Sequence, residues 1–174
     1  QGEITKKFQN KILDKFNLDL TFNQKINYHL FPRPHFVSSE ASIIENQINI
    51  ANINQIKIYI SLDNLFYINN IKVQEVIIEN ANFELNNKNS NFFVKLLNNN
   101  FLEYNLKIIN SNVFFKSLEN DVLFINKIDN LKYYFDPKEL KNVLYAENEI
   151  FNIPYTFLVT DHEDRKKLYT KLNI

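Results

Sequence analysis

The pattern that most restricts the fold is an alternation of apolar and polar residues that returns along most of the chain. In residues 56–62 every second side chain is apolar, with Lys57, Tyr59 and Ser61 between them. Successive side chains of a β-strand point to opposite faces, so this segment is expected to form a strand with one apolar face. Such segments recur about ten times. They predict a mainly β fold, a curved antiparallel sheet shaped as a groove or half-barrel.

The N-terminal segment has a helical period instead. Its apolar residues lie along one stripe: Ile4, Phe8, Ile12, Leu13 and Phe16. Lysines occupy the other face, so an amphipathic helix is predicted within residues 1–17. Such a helix can lie on a membrane surface or cover one end of the sheet. The second role is the more ordinary one, and it is favoured here.

A proline-rich junction ends the first alternating segment. Apolar residues alternate through 16–30, and since about 15 residues would be an unusually long strand, a tight turn is predicted at 23–24. Pro32 and Pro34 follow. Proline cannot donate a backbone hydrogen bond, so pairing is predicted to stop there and to resume from Phe36.

The alternation changes phase within one later segment. Between Val73 and Leu85 the apolar set shifts after Val73 and again after Ile78. Each shift needs an extra residue, which a β-bulge supplies. The chain has one glycine in 174 residues. Asparagine is therefore expected where φ is positive, because it tolerates the left-handed region better than most residues.

The second half repeats this style, and one domain is predicted over residues 1–174. A first sheet region is expected over 18–96 and a second over 101–174. Within the second, Asp136 to Glu139 has the order of a capping box, with proline at the first helical position. A short helix is therefore predicted from Asp136 to about Leu144.

Little in the sequence points to catalysis or to a bound cofactor or metal. Cysteine is absent, the three histidines are not at metal-ligand spacing, and no HExxH or GxSxG motif occurs. Asp161 to Asp164 is the one cluster with acid–base potential, and a charged hairpin tip has the same composition. A non-enzyme is predicted, with a hydrolase that uses His162 as an alternative. A formal net charge of zero argues against nucleic-acid binding.

The proline junction and its neighbours resemble a known family. The helix, the alternating strand and the Phe-Pro element in LTFNQKINYHLFPRPHFVSSEASI (residues 20–43) resemble the N-terminal region of the AsmA-like family of bacterial envelope proteins. IKIYISLDNLF (56–66) and IKVQEVIIENANFEL (71–85) are similar to the strands that follow in that family. The resemblance covers residues 3–96, whereas 101–174 match in character alone. Asn23 stands where the family often has glycine.

The resemblance implies a non-enzymatic envelope protein that takes part in phospholipid transport or outer-membrane assembly. Larger relatives fold as a long curved sheet with an apolar concave face. The implied partners are a phospholipid or another acyl-chain lipid, envelope proteins, and the membrane. No apolar run approaches the roughly 18 residues that span a bilayer. The expectation is therefore a periplasmic protein held in the bacterial inner membrane by an anchor upstream of this sequence.

A sheet with one apolar face must cover it with a second layer, with its own opposite wall, or with acyl chains. Together with the resemblance, this favours a lipid-facing groove over a closed core. The side chains expected to face the groove are Leu18, Leu20, Phe22, Ile26, Tyr28, Leu30, Ile56, Ile58, Ile60, Ile71 and Val73. The alternatives are a periplasmic interaction module with a closed β core, whose sheet edges recruit a partner strand, and the hydrolase.

Overall fold

The computed structural model describes residues 2–65, 71–99, 101, 104–162 and 167–174. Within these residues ten strands form one sheet. The strands are β1 (Asp19–Phe22), β2 (Asn27–His29), β3 (His35–Glu45), β4 (Ile48–Ile60), β5 (Val73–Leu85), β6 (Asn105–Lys116), β7 (Val122–Asp136), β8 (Lys141–Ile150), β9 (Ile153–His162) and β10 (Lys167–Asn173). The helices are α1 (Gly2–Phe16) and α2 (Phe92–Lys95), with single 3-10 turns at Leu62–Leu65 and Leu96–Asn98. The prediction of a mainly β protein with an N-terminal helix is confirmed.

The sheet consists of two antiparallel halves joined by one parallel pair. Neighbours follow chain order from β3 to β10, and β1 and β2 both pair with β3. Among the described strands β5 and β6 alone run parallel. A parallel pair cannot be joined by a tight turn, so the chain crosses over one face of the sheet between them and carries α2 there. The sheet is open, with β1 and β10 at its ends.

Helix α1 covers part of the same face, which we call the inner face. Three residues of its apolar stripe are fully buried, Phe8, Ile12 and Phe16, whereas Ile4 and Leu13 are partly exposed. The Phe8 ring lies 4.5 Å from the ring of Phe36 in β3, and the Phe16 ring lies 4.5 Å from that of Tyr104. The stripe that a membrane surface would need is therefore used inside the protein, and the covering role is confirmed.

Strands β1 and β2 are collinear segments of one sheet edge. Both run antiparallel to β3, with Phe22 beside Ala41 and Asn27 beside Val37. The tight turn predicted at residues 23–24 is wrong as a reversal of the chain. Because both segments pair with β3 in the same orientation, the chain resumes in the same direction after a short break.

The proline junction connects β2 to β3 as predicted. β2 ends at His29 and β3 begins at His35, one residue before the expected Phe36. Residues 30–34 make the connection, and the Phe31–Pro32 peptide is cis.

A row of kinks crosses five neighbouring strands at one level of the sheet. In β5 the buried residues change phase between Ile78 and Ala81, where Asn80 has a φ of 54°. One residue of each strand from β3 to β7 has no partner in the pairing register at this level: Glu40, Asn54, Asn80, Asn110 and Asp129. The second phase shift predicted for β5 is confirmed, and it belongs to this larger feature.

Asparagine takes the backbone positions that glycine usually occupies. Six asparagines have positive φ: Asn17, Asn46, Asn80, Asn110, Asn120 and Asn152. No glycine in the described residues does. The expectation from the glycine-poor composition is confirmed.

The helix predicted from Asp136 to about Leu144 is wrong. Residues 137–140 form a tight turn between β7 and β8. The Asp136 carboxylate accepts a hydrogen bond of 2.9 Å from the backbone N–H of Lys138, as at the start of a helix. Leu140 then adopts a φ of 48° and ends the turn. The same capping chemistry closes a hairpin here.

Candidate functional site

Beyond the part that α1 covers, the inner face opens into an apolar groove over β6–β10. Its cavity measures about 600 Å³, within the range of roughly 300–1,000 Å³ that is usual for ligand sites. Its walls are Ser90, Phe93, Val94, Val113, Phe115, Asn126, Ile128, Leu131, Leu144, Ala146, Asn148, Ile150, Ile153, Tyr155, Phe157, Thr170, Leu172 and Ile174. None of these residues is charged, so the surface suits an uncharged, apolar ligand segment.

One border of the groove belongs to the crossover and the other to the last strands. Phe93 and Val94 of α2 line the first border. On the second, Ile153 is 51% exposed, Leu172 55% and Ile174 89%, although all three line the cavity. Contiguous apolar side chains left open to solvent indicate a surface that binds something apolar.

Aromatic contacts hold the crossover border in place. The Tyr133 hydroxyl donates a hydrogen bond to the backbone oxygen of Phe93. The Tyr133 ring stacks on Phe101, with centroids 5.5 Å apart. Complete burial raises the pKa of Tyr133 well above its usual value, so the phenol stays protonated and keeps donating. The border next to α2 is therefore a fixed wall.

Of the five polar residues in the wall, three lie on the neighbouring strands β7, β8 and β9, and we call them the polar station: Asn126, Asn148 and Tyr155. The Tyr155 hydroxyl donates a hydrogen bond of 2.8 Å to Asn126 Oδ1. Burial raises the pKa of Tyr155, partly offset by this hydrogen bond. Asn148 is 5% exposed, and within the described residues its Oδ1 has no hydrogen-bond partner.

The opposite, outer face carries the ion pairs that join neighbouring strands. Lys57 Nζ lies 2.8 Å from Glu79 Oε1, and Lys116 Nζ lies 2.7 Å from Glu84 Oε2. The polar side chains of the alternating strands thus lie on the face away from the groove, as the sequence pattern requires.

Arg33 of the proline junction belongs to this outer face. Its Nη2 lies 2.6 Å from Glu75 Oε2, and Lys107 Nζ lies 2.5 Å from Glu75 Oε1. The Arg33 guanidinium also lies 4.2 Å from the ring centroid of Tyr59. His35 stacks on the same ring, with centroids 4.8 Å apart. These contacts fix the junction against the sheet.

The side chains predicted to face a lipid groove lie on the covered part of the protein. Seven of them are buried in the core: Leu18, Leu20, Ile56, Ile58, Ile60, Ile71 and Val73. Phe22 and Ile26 are partly buried against that core, whereas Tyr28 and Leu30 are exposed at the edge strand. None of the eleven lines the open groove. Contact of these side chains with lipid stays a prediction.

Half of the acid–base cluster at Asp161 to Asp164 falls outside the described residues. Asp161 and His162 end β9, and residues 163–166 are not described. In the described part of the chain no group of three or more His, Cys, Asp or Glu side chains is placed to hold a metal ion.

Sequence reasoning missed the groove residues of β6–β10 because apolar and polar residues alternate there just as they do in the strands that α1 and the crossover cover. Ile128 and Ile56 both alternate with polar neighbours and are both 1% exposed. What separates the two regions is the layer above them, which α1 and the crossover provide for the first strands. No sequence signal marked this difference, because a short helix was itself predicted after residue 105, from Asp136 to about Leu144.

Comparison with known proteins agrees with the architecture. None of the helices in the described residues is long and apolar enough to cross a bilayer. A search of curated proteins found no match. The model of the AsmA family matches residues 2–122, a range that includes α1, strands β1–β5 and the parallel pair of β5 and β6. On this match, the chain belongs to the AsmA family.

Proposed function

We propose that the protein binds acyl chains of lipids in the groove over β6–β10, as a non-enzymatic component of the bacterial envelope. Family membership supports the envelope association. The observation that carries the proposal is an open, uncharged cavity of about 600 Å³ beside a fully packed core. A phospholipid or another acyl-chain lipid is the proposed partner, in phospholipid transport or outer-membrane assembly. The proposed location is the periplasmic side of the inner membrane.

The groove offers apolar burial without a specific anchor for a charged headgroup. Each methylene group transferred from water to such a surface contributes roughly 0.8 kcal/mol. The open border at Ile153 and Leu172 leaves room for a headgroup to remain in solvent. The geometry therefore suits an acyl chain buried in the groove and a charged headgroup left outside it.

Two adjacent residues of β10 allow a matched test. Leu172 lines the groove, whereas Asn173 lies on the outer face, where its Nδ2 donates to Thr156 Oγ1 at 3.2 Å. Both are exposed, so neither substitution should unfold the sheet. Binding of an uncharged fluorescent acyl ester is expected to weaken roughly tenfold or more in Leu172→Glu, because the groove would have to bury a charge. Asn173→Glu adds the same charge outside and should bind as the wild type does.

Mass spectrometry of lipid extracted from the purified protein provides an independent check. Acyl lipid is expected to co-purify with the wild type and with Asn173→Glu, and to be depleted in Leu172→Glu. Equal binding by all three proteins, or no acyl binding by the wild type, would refute the proposed groove.

A second candidate is strand addition at the open edge of β10. Among the described strands β10 pairs with β9 alone, so its other edge can accept an extended segment. This is the interaction-module alternative. It predicts partner capture that Leu172→Glu leaves intact and that a proline in β10 abolishes, measured by pull-down from envelope extracts.

A further inference from the structure

The polar station is the feature that a plain hydrocarbon ligand does not explain. Asn148 lies on β8 in the floor of the groove, with apolar Ala146 and Ile150 as its neighbours along the inner face. Its side chain is 5% exposed, and its Oδ1 is sealed from solvent without a hydrogen-bond partner in the described chain. Buried amides are nearly always paired, so this one is unusual.

The neighbouring polar groups do not satisfy Asn148. Tyr155 lies directly across from it in the β8–β9 register. The Tyr155 hydroxyl, however, donates to Asn126 Oδ1 at 2.8 Å and is thereby committed. Asn126 is on β7, diagonally across from Asn148, and is itself buried. The three side chains thus form one polar spot on an apolar wall, in which Asn148 Oδ1 is unpaired.

A ligand of matching chemistry must carry a hydrogen-bond donor at this depth. A saturated chain laid over the station would seal Asn148 further and leave its amide unpaired, which weakens binding. A hydroxyl group suits the site better than an amine or an amide. It is uncharged, and it can donate to the carbonyl oxygen or accept from the amide nitrogen, whichever way the side chain is turned.

We infer that the groove selects a hydroxyl-bearing acyl lipid, with that hydroxyl hydrogen-bonded to Asn148. This rests on the proposed function, because it names the class of lipid that the same groove takes. The hydroxyl belongs either to the acyl chain or to the glycerol unit, and the chemistry at Asn148 is the same in both cases.

Two pairs of uncharged probes separate these sources. Competition against the fluorescent acyl ester compares methyl stearate with a methyl hydroxystearate whose hydroxyl is in mid-chain, and methyl stearate with monostearoylglycerol. The hydroxylated member of at least one pair should bind the wild type roughly tenfold more tightly, the effect of one buried hydrogen bond. The pair that shows the preference identifies the source of the hydroxyl.

Asn148→Leu removes the open acceptor and keeps nearly the same volume. The variant should bind methyl stearate at least as tightly as the wild type does and lose the hydroxyl preference. Because it exchanges an unpaired buried amide for an apolar side chain, it is also expected to melt at the same or a higher temperature. Asn173→Glu, which changes a residue of the outer face, should keep the preference.

Each outcome bears on a different claim. Equal affinity within both probe pairs in the wild type would overturn the inference and leave the groove itself standing, since water would then satisfy Asn148. A preference that survives in Asn148→Leu would also overturn it. Failure of every probe to bind would refute the proposed function, and the inference with it.

Discussion

Glu75 shows how one buried carboxylate connects three separated parts of the chain. Its side chain is 6% exposed and contacts Arg33 of the proline junction and Lys107 of β6. Burial acts to raise the pKa of Glu75, but hydrogen bonds and charge from Lys107 and Arg33 outweigh it and lower the pKa below its usual value. The folded protein therefore favours the ionised form of this side chain.

This lowered pKa gives a prediction for stability against pH. A carboxyl whose pKa is depressed on folding stabilises the protein above its unfolded pKa, and the contribution is lost as pH falls through the folded pKa. Glu75→Gln should reduce the free energy of unfolding by about 1–3 kcal/mol at pH 7. The difference from the wild type should shrink as the solution becomes acidic, measured by urea unfolding at a series of pH values.

Glu84 provides the control for Glu75. It forms a comparable ion pair with Lys116, but its side chain is 48% exposed. Solvent screens such a pair, so Glu84→Gln should cost less than about 1 kcal/mol. A Glu75→Gln penalty as small as this, or one independent of pH, would show that the buried pair does not stabilise the fold.

At the scale of the element, α1 was predictable and the hairpin at residues 137–140 was not. The spacing of Phe8, Ile12 and Phe16 specifies both the helix and its buried side. The capping order at Asp136 is ambiguous, because an Asp side chain accepts backbone N–H groups equally at a helix start and in a turn. Apolar alternation in β8, set by its pairing with β7 and β9, decides the matter in favour of strand.

Adjacent residues of α1 test what the helix contributes. Ile12 is fully buried, whereas Leu13 is 43% exposed. Ile12→Ala should reduce the free energy of unfolding by about 2–5 kcal/mol, because it leaves a cavity between helix and sheet. Leu13→Ala should cost well under half of that, since its side chain is already partly solvated. Equal losses in chemical denaturation would mean that the helix does not pack as described.

At the scale of the whole molecule, the row of kinks sets which side chains face inward across five strands. The sequence shows its trace in β5, where the apolar phase shifts at Asn80. It does not show that kinks in neighbouring strands align, because register depends on pairing between distant segments. The position of the groove could not be predicted from the sequence for a related reason, because it depends on which strands the crossover between β5 and β6 covers.

Asn110 allows the row to be tested without disturbing the core. It is exposed and has a φ of 49° in β6. Asn110→Val should destabilise the protein by about 1–2 kcal/mol, because a β-branched residue is strained in the left-handed region. Asn110→Gly should leave the free energy of unfolding unchanged or raise it slightly, because glycine adopts a positive φ without strain.

A control for Asn110 lies on the same strand. Asn105 is exposed at the start of β6 and is not among the residues of positive φ. Asn105→Val should therefore leave the melting temperature nearly unchanged. A similar loss in Asn105→Val and Asn110→Val would attribute the effect to the removal of asparagine and not to the kink.

The contacts of α1 also have a consequence for the order in which the chain is made. The helix is synthesised before the sheet, yet the backbone oxygen of Lys15 accepts its hydrogen bond from Tyr104, a residue 89 positions later. The Phe16 ring likewise packs against Phe101 and Tyr104, which are synthesised later. During translation or export, the Phe16 end of the apolar stripe of α1 therefore stays incompletely covered until Phe101 and Tyr104 emerge. For that interval the nascent chain presents a hydrophobic segment of the kind that chaperones bind.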